Sequence, residues 1–216
     1  METVLQQAPH NMVASILSAH FHYQQGVVDQ AMWKLNTNGN FTCSSAWSEL
    51  RVKRCRSLFY AFIWHKNIPF KCSFLLWRAL KGKLPTNEKI ITFGNDPATC
   101  YCWDRPGWDT IDHTFKTGHF AAHIWRFFAM HAGINYEHTT LTNLIMRWWS
   151  TKYNNEAHKV ILQATPIFIC WNIWKNRCAS KHGGKQSNTS RVKYVVYKDN
   201  YKLLTTTFPY IKWSSN

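Results

Sequence analysis

Beyond Leu141 the apolar residues of this chain recur every three to four positions with few breaks. That period suits α-helices and leaves no room for the two-residue alternation of strands. Leu141 to Thr151 reads as one helix. Glu156 to Ala179 reads as a longer one, with Val160, Ala164, Phe168, Trp171 and Trp174 on its apolar stripe. A kink is expected in it at Pro166, which lacks the N–H of an interior helical residue. The basic, glycine-containing stretch at 180–188, SKHGGKQSN, reads as a linker. A last helix follows from Thr189 to about Thr207, where Lys193, Lys198 and Lys202 alternate with Val195, Tyr197 and Leu203.

The first half is more varied. A short helix is expected near Met12 to His20. Trp33 and Leu35 then alternate with polar residues, Asn38 and Gly39 offer a tight turn, and Phe41 resumes the alternation, which predicts a β-hairpin. Ser44 or Ser45 offers an N-cap for a helix over Ala46 to Cys55. Ile68-Pro69 marks a boundary, because the residue before proline avoids the helical region. The next helix, Phe70 to Leu80, places Phe70, Phe74, Trp77 and Leu80 or Lys81 along one side, and Gly82 ends it. Thr86 caps a short helix over Asn87 to Phe93, and another spans Phe120 to His131 with Ile124, Trp125 and Phe128 inward. The fold class expected is therefore mainly α: an N-terminal β-hairpin followed by a helical domain with a short Cys/His knuckle loop. The expected divisions are an N-terminal extension at 1–29, a main domain at 30–180, and a basic linker with a C-terminal helix at 181–216.

Lys and Arg outnumber Asp and Glu by 26 to 11, a net charge of +15. Such an imbalance points to a polyanionic partner, and nucleic acid, RNA or DNA, is the natural one, because each neutralised phosphate releases condensed counterions. The 12 tryptophans are expected mostly in the core, where large aromatics contribute most buried area. The 7 cysteines are odd in number and scattered, which favours reduced thiols in an intracellular protein, nuclear or cytoplasmic. No signal-peptide pattern and no run of 18 apolar residues occurs, so no membrane association is expected.

Several enzyme classes find no support. The sequence contains no GxxxxGKS loop, GxSxG elbow or kinase motif set. Asp96, Asp104, Asp109 and Asp112 cluster in sequence, but turn preference and solvation account for them without a two-metal site. His119 and His123 have the spacing of an HExxH helix, yet Phe120 stands where the general base belongs. The chain is expected not to be an enzyme. The constellation with chemistry is CYCWDRPGWDTIDHTFKTGH, from Cys100 to His119. Cys100, Cys102, His113 and His119 would supply the four thiolate and imidazole ligands of a structural zinc site, with His123 as an alternative last ligand. The Cys-x-Cys pair departs from the usual spacing, since a knuckle turn normally encloses two residues.

Trp33 to Phe41 leading into CSSAW, then IWHKNIPFKCSFLLWRALKGKLPT, CYCW with DTIDHTF, and ICWNIWKNRCASKHGGK together resemble one family. It is the reverse transcriptase zinc-binding region of plant non-LTR, LINE-type retrotransposons, and the likeness covers roughly residues 30–213. The resemblance implies a helical, zinc-binding module that organises nucleic acid between a polymerase and a ribonuclease H domain. Neither a YADD-like polymerase motif nor a ribonuclease H segment accompanies it here. An isolated accessory module is therefore expected, from a retained or decayed element, with any polymerase or ribonuclease H partner supplied separately. The family pattern places ligands at Cys100, Trp103, His113 and Gly118, so two of its four positions have lost their thiolates. Cys102 and His119 each stand one residue from a vacated position. Losing two thiolates removes most of a binding energy that is on the order of 10 kcal/mol for structural zinc, and the site is read as degenerate.

Overall fold

The structure, a computed structural model, describes residues 6, 8–19, 26, 28, 31–52, 58–91, 93–94, 99–100, 107–136 and 140–211. The chain divides into two compact units, Met1–Cys55 and Arg56–Asn216.

In the first unit, helix α1 (His10–Leu17) follows Pro9 and buries none of its residues. Helix α2 (Cys43–Leu50) is capped two or three residues earlier than its serines suggest: the Thr42 hydroxyl oxygen accepts from the Ser45 N–H at 3.1 Å. Ser45 serves another contact, its hydroxyl oxygen accepting from the Trp33 indole N–H at 2.8 Å. The expected β-hairpin is not formed, and no β-strand occurs among the described residues. The chain does reverse, with the Trp33 N–H donating to the Gly39 carbonyl at 2.7 Å and Gly39 at φ +69°. Two consecutive turns occupy the intervening residues, since the Asn36 N–H donates to Trp33 O and the Gly39 N–H to Asn36 O. Thr42 then opens α2, so too few residues remain for a second strand of ordinary length. What read as alternation becomes an edge-to-face contact of Trp33 with Phe41, centroids 4.9 Å apart.

The second unit is helical among its described residues. It comprises α3 (Leu58–Ile63), α4 (Phe70–Leu80), α5 (Asn87–Ile90), a π-helical turn (His113–Thr117), α6 (His119–His131), α7 (Leu141–Ser150), α8 (Glu156–Gly183) and α9 (Thr189–Thr207). Helix α8 is the centre, with α4, α6, α7, α9 and the π turn packed on it. Leu76, Ile124, Trp125, Leu144, Ile145, Trp148, Ile167, Ile169, Ile173 and Val196 are each less than 2% exposed and form its core. Burying each such side chain contributes about 1.5–3 kcal/mol before entropy is counted. Trp125 also satisfies its indole N–H, which donates to the Phe115 carbonyl at 2.6 Å.

Helix α8 runs through Pro166 without ending, because that residue lies in the packed stripe of Ala164 to Cys170. It continues past Ala179 to Gly183, where Gly184 adopts the left-handed conformation at φ +59° and closes it. Lys181 and His182 lie in its last turn, where positive charge complements the exposed carbonyls. Helix α4 has the expected bounds but turns a different face inward. Cys72, Leu75, Leu76 and Ala79 are buried, while Phe70 and Phe74 are 70% and 40% exposed. The tryptophans divide likewise: Trp125, Trp148 and Trp149 are buried, whereas Trp47, Trp64 and Trp108 are exposed. No helix among the described residues is long and apolar enough to cross a membrane.

Candidate metal centre

Thr99 and Trp108 form an isolated antiparallel bridge, and the Cys100 N–H donates to the Gly107 carbonyl at 2.9 Å. These bonds close the base of a loop and leave Cys100 buried, 7% exposed. His113 begins the π turn, its N–H held by the Thr110 hydroxyl oxygen at 3.0 Å. That placement brings His113 Nε2 to 3.1 Å from Cys100 Sγ. Gly107 makes the approach possible, since a Cβ there would lie 2.8 Å from His113 Cε1. Burial pushes the His113 imidazole below the ordinary histidine range, with the Asp109 carboxylate partly opposing. That shift favours the neutral ring, the form that ligates a metal.

Zinc with thiolate and imidazole ligands in tetrahedral geometry holds S and N about 3.6 Å apart. The Cys100–His113 pair is within a small adjustment of that spacing, so these two residues fit two positions of a structural site. His119 does not join them. It is the first residue of α6 and exposed, and its ring lies 6.4 Å, centroid to centroid, from that of His123, also exposed. Gly118, standing where the family pattern has a thiolate, is the N-cap of α6, and its N–H donates to the His113 carbonyl at 3.0 Å. Cys102 and Trp103 lie outside the described residues, as do Asp96 and Asp104. Among the described residues no group of three or more His, Cys, Asp or Glu is placed to hold a metal ion. The described donors therefore supply half of a tetrahedral set.

The loop is fastened by Asp109, expected from its turn preference to be solvated. Asp109 is 1% exposed rather than solvated. Its carboxylate accepts from Arg177 Nε at 3.1 Å to each oxygen and from Arg177 Nη2, from the Thr114 hydroxyl at 2.8 Å, and from the Asn87 N–H at 2.8 Å. Arg177 also donates to Asn87 Oδ1 at 3.0 Å and lies over the Trp174 ring, 4.7 Å from its centroid. Lys181 Nζ donates to the same Asn87 oxygen at 2.8 Å, and Asn87 Nδ2 reaches the Thr99 carbonyl at 2.8 Å. Burial works against ionising Asp109, but its hydrogen bonds and the Arg177 charge outweigh that effect and hold the carboxyl below the usual range. The network ties α5, the loop base, the π turn and α8 together. The signal available in sequence was Arg177 itself, an arginine four and eight residues beyond Ile173 and Ile169 on the buried face of α8, which requires a carboxylate partner.

No curated protein and no solved structure matches the chain. Residues 41–125, which include the loop base, the π turn and helix α4, match the model of a family described as zinc-binding in reverse transcriptase.

Proposed function

We propose that this chain is a non-catalytic accessory module of the reverse transcriptase machinery of a non-LTR retrotransposon, and that it binds nucleic acid through its positive charge. The charge carries the reading: 26 Lys and Arg against 11 Asp and Glu favour a polyanion at any surface the fold exposes. The family match over residues 41–125 supports the reverse transcriptase connection. The engagement of Asp109 by Arg177, Thr114 and Asn87 supports a structural role for the loop. The module works beside a polymerase or ribonuclease H domain, and an intracellular setting, nucleus or cytoplasm, follows from that partner.

The test is a fluorescence titration of purified protein into labelled RNA and DNA oligonucleotides at low salt. Binding of both, with little dependence on sequence, is expected. Absence of binding to any oligonucleotide sinks the reading. Primer-extension and RNA-degradation assays on the same protein should be blank, and reproducible activity in either would make it a catalytic component instead.

A further inference from the structure

Four aromatic rings form a ladder along an exposed edge of the second unit. Trp64 stacks on Phe70 with centroids 5.6 Å apart, Phe70 on Phe74 at 5.6 Å, and Phe74 on Trp77 at 5.7 Å, with interplanar angles of 26°, 14° and 18°. Trp64 and Phe74 are 41% and 40% exposed and Phe70 is 70% exposed, whereas Trp77 is partly buried against the core, which takes the Cys72–Leu76–Ala79 face of α4. Near-parallel rings left in water are the kind of surface on which unpaired bases stack.

Lysines follow, in sequence, the first and last rings that α4 carries. Lys71 follows Phe70 in the first turn of α4, and its ammonium lies 5.5 Å from the centroid of the Trp171 ring, with that of Lys175 at 5.8 Å. These two lysines and Lys202 line a cleft of about 370 Å³ beside Trp171. Its one carboxylate, Asp199, accepts from Asn172 Nδ2 at 2.8 Å. At the C-terminal end of α4 Lys81 lies over the Tyr60 ring at 5.5 Å. The sequence from Arg56 to Asn87 carries six Lys and Arg and no Asp or Glu.

We infer that the Trp64–Phe70–Phe74–Trp77 ladder and the adjoining Lys71–Lys175–Lys202 cleft form a binding surface for single-stranded nucleic acid, bases on the rings and phosphates on the ammonium groups. The inference rests on the nucleic-acid reading above and gives it a location and a strandedness. A duplex offers the same phosphates but keeps its bases stacked on one another, so it uses the lysines and leaves the rings idle. An acidic peptide without aromatic side chains likewise has no rings to stack on the ladder.

The test compares anisotropy titrations of a labelled single-stranded 16-mer and its duplex against wild-type protein, Phe70→Leu with Phe74→Leu, and Lys175→Gln with Lys202→Gln. The leucine pair keeps apolar bulk and helix propensity while removing two ring faces, and circular dichroism checks that the fold survives. It should weaken single-strand binding roughly tenfold, on the order of one base stack, with an unchanged salt slope and duplex affinity within about twofold. The glutamine pair should reduce the single-strand salt slope by about 1.4, from about 0.7 per phosphate contact. Wild-type binding that neither pair alters would place the nucleic acid elsewhere, overturning the location and leaving the proposed function standing. No binding by wild type would overturn both. Phosphatidylserine vesicles bound by wild type and released by the leucine pair, with oligonucleotide binding untouched, would reassign the ladder to a lipid surface.

Discussion

The Asp109–Arg177 pair makes a quantitative expectation possible, because both side chains are almost wholly out of water, 1% and 4% exposed. Asp109→Ala leaves the guanidinium buried without its counter-ion and strips acceptors from the Thr114 hydroxyl and the Asn87 N–H. Removing one partner of a buried pair costs about 3–5 kcal/mol. For a domain of this size each kcal/mol moves Tm by about 2–4 °C, so a fall of roughly 6–20 °C is expected. Urea unfolding followed by tryptophan fluorescence, on wild type, Asp109→Ala, Arg177→Met and the double variant, closes a mutant cycle. The double variant should recover at least about 2 kcal/mol relative to the sum of the singles, because it no longer buries an unpaired charge. The pH dependence has a definite sign. A carboxyl held below its unfolded value adds stability above about pH 4, lost as pH falls through the lowered folded value. That acid loss should be shallower in the double variant. Singles costing under about 1 kcal/mol, or strictly additive effects, would refute the assignment of this pair as the fastening of the loop.

Three further outcomes follow from the same contacts. Chelation with EDTA is expected to move the melting midpoint by less than roughly 2 °C, because only two described donors converge and the core stands without them; a fall above roughly 10 °C would mean that two more ligands complete a structural site. Gly107→Ala should push His113 away from Cys100, given the 2.8 Å clash of its Cβ with the ring, and cost about 1–3 kcal/mol in denaturant unfolding. Trp125→Ala, which removes a fully buried indole and leaves the Phe115 carbonyl without its donor, should cost about 3–5 kcal/mol or prevent folding, while Trp125→Phe should retain a cooperative transition.

The helical half of the fold was legible because its signals are local and redundant. Ile68-Pro69 and Gly82 set the bounds of α4, and the 3.6-residue period carried α7, α8 and α9. The first half misled where a local signal needed a partner it did not have. Asn38-Gly39 does make a turn, but a hairpin also needs two strands to pair, and α2 begins at once. In α4 apolar residues surround the axis, so periodicity favoured the large rings, whereas the core accepts the smaller Cys72 and Ala79 that let α8 come close. In the site, Cys100 and His113 were legible as donors and do meet. His119 stands one residue from the vacated ligand position, and the π turn and the Gly118 cap carry it to an exposed place at the start of α6. Asp109 was misread because aspartate in a loop resembles a turn residue, and its partner lies 68 positions away.

The central claim, that this module binds nucleic acid by its positive charge, is tested most directly by the salt dependence of wild-type binding to a single-stranded oligonucleotide. With about four phosphate contacts at about 0.7 each, the logarithm of affinity should fall against the logarithm of salt concentration with a slope of about −3. Affinity independent of salt, or no binding at low salt, would contradict it.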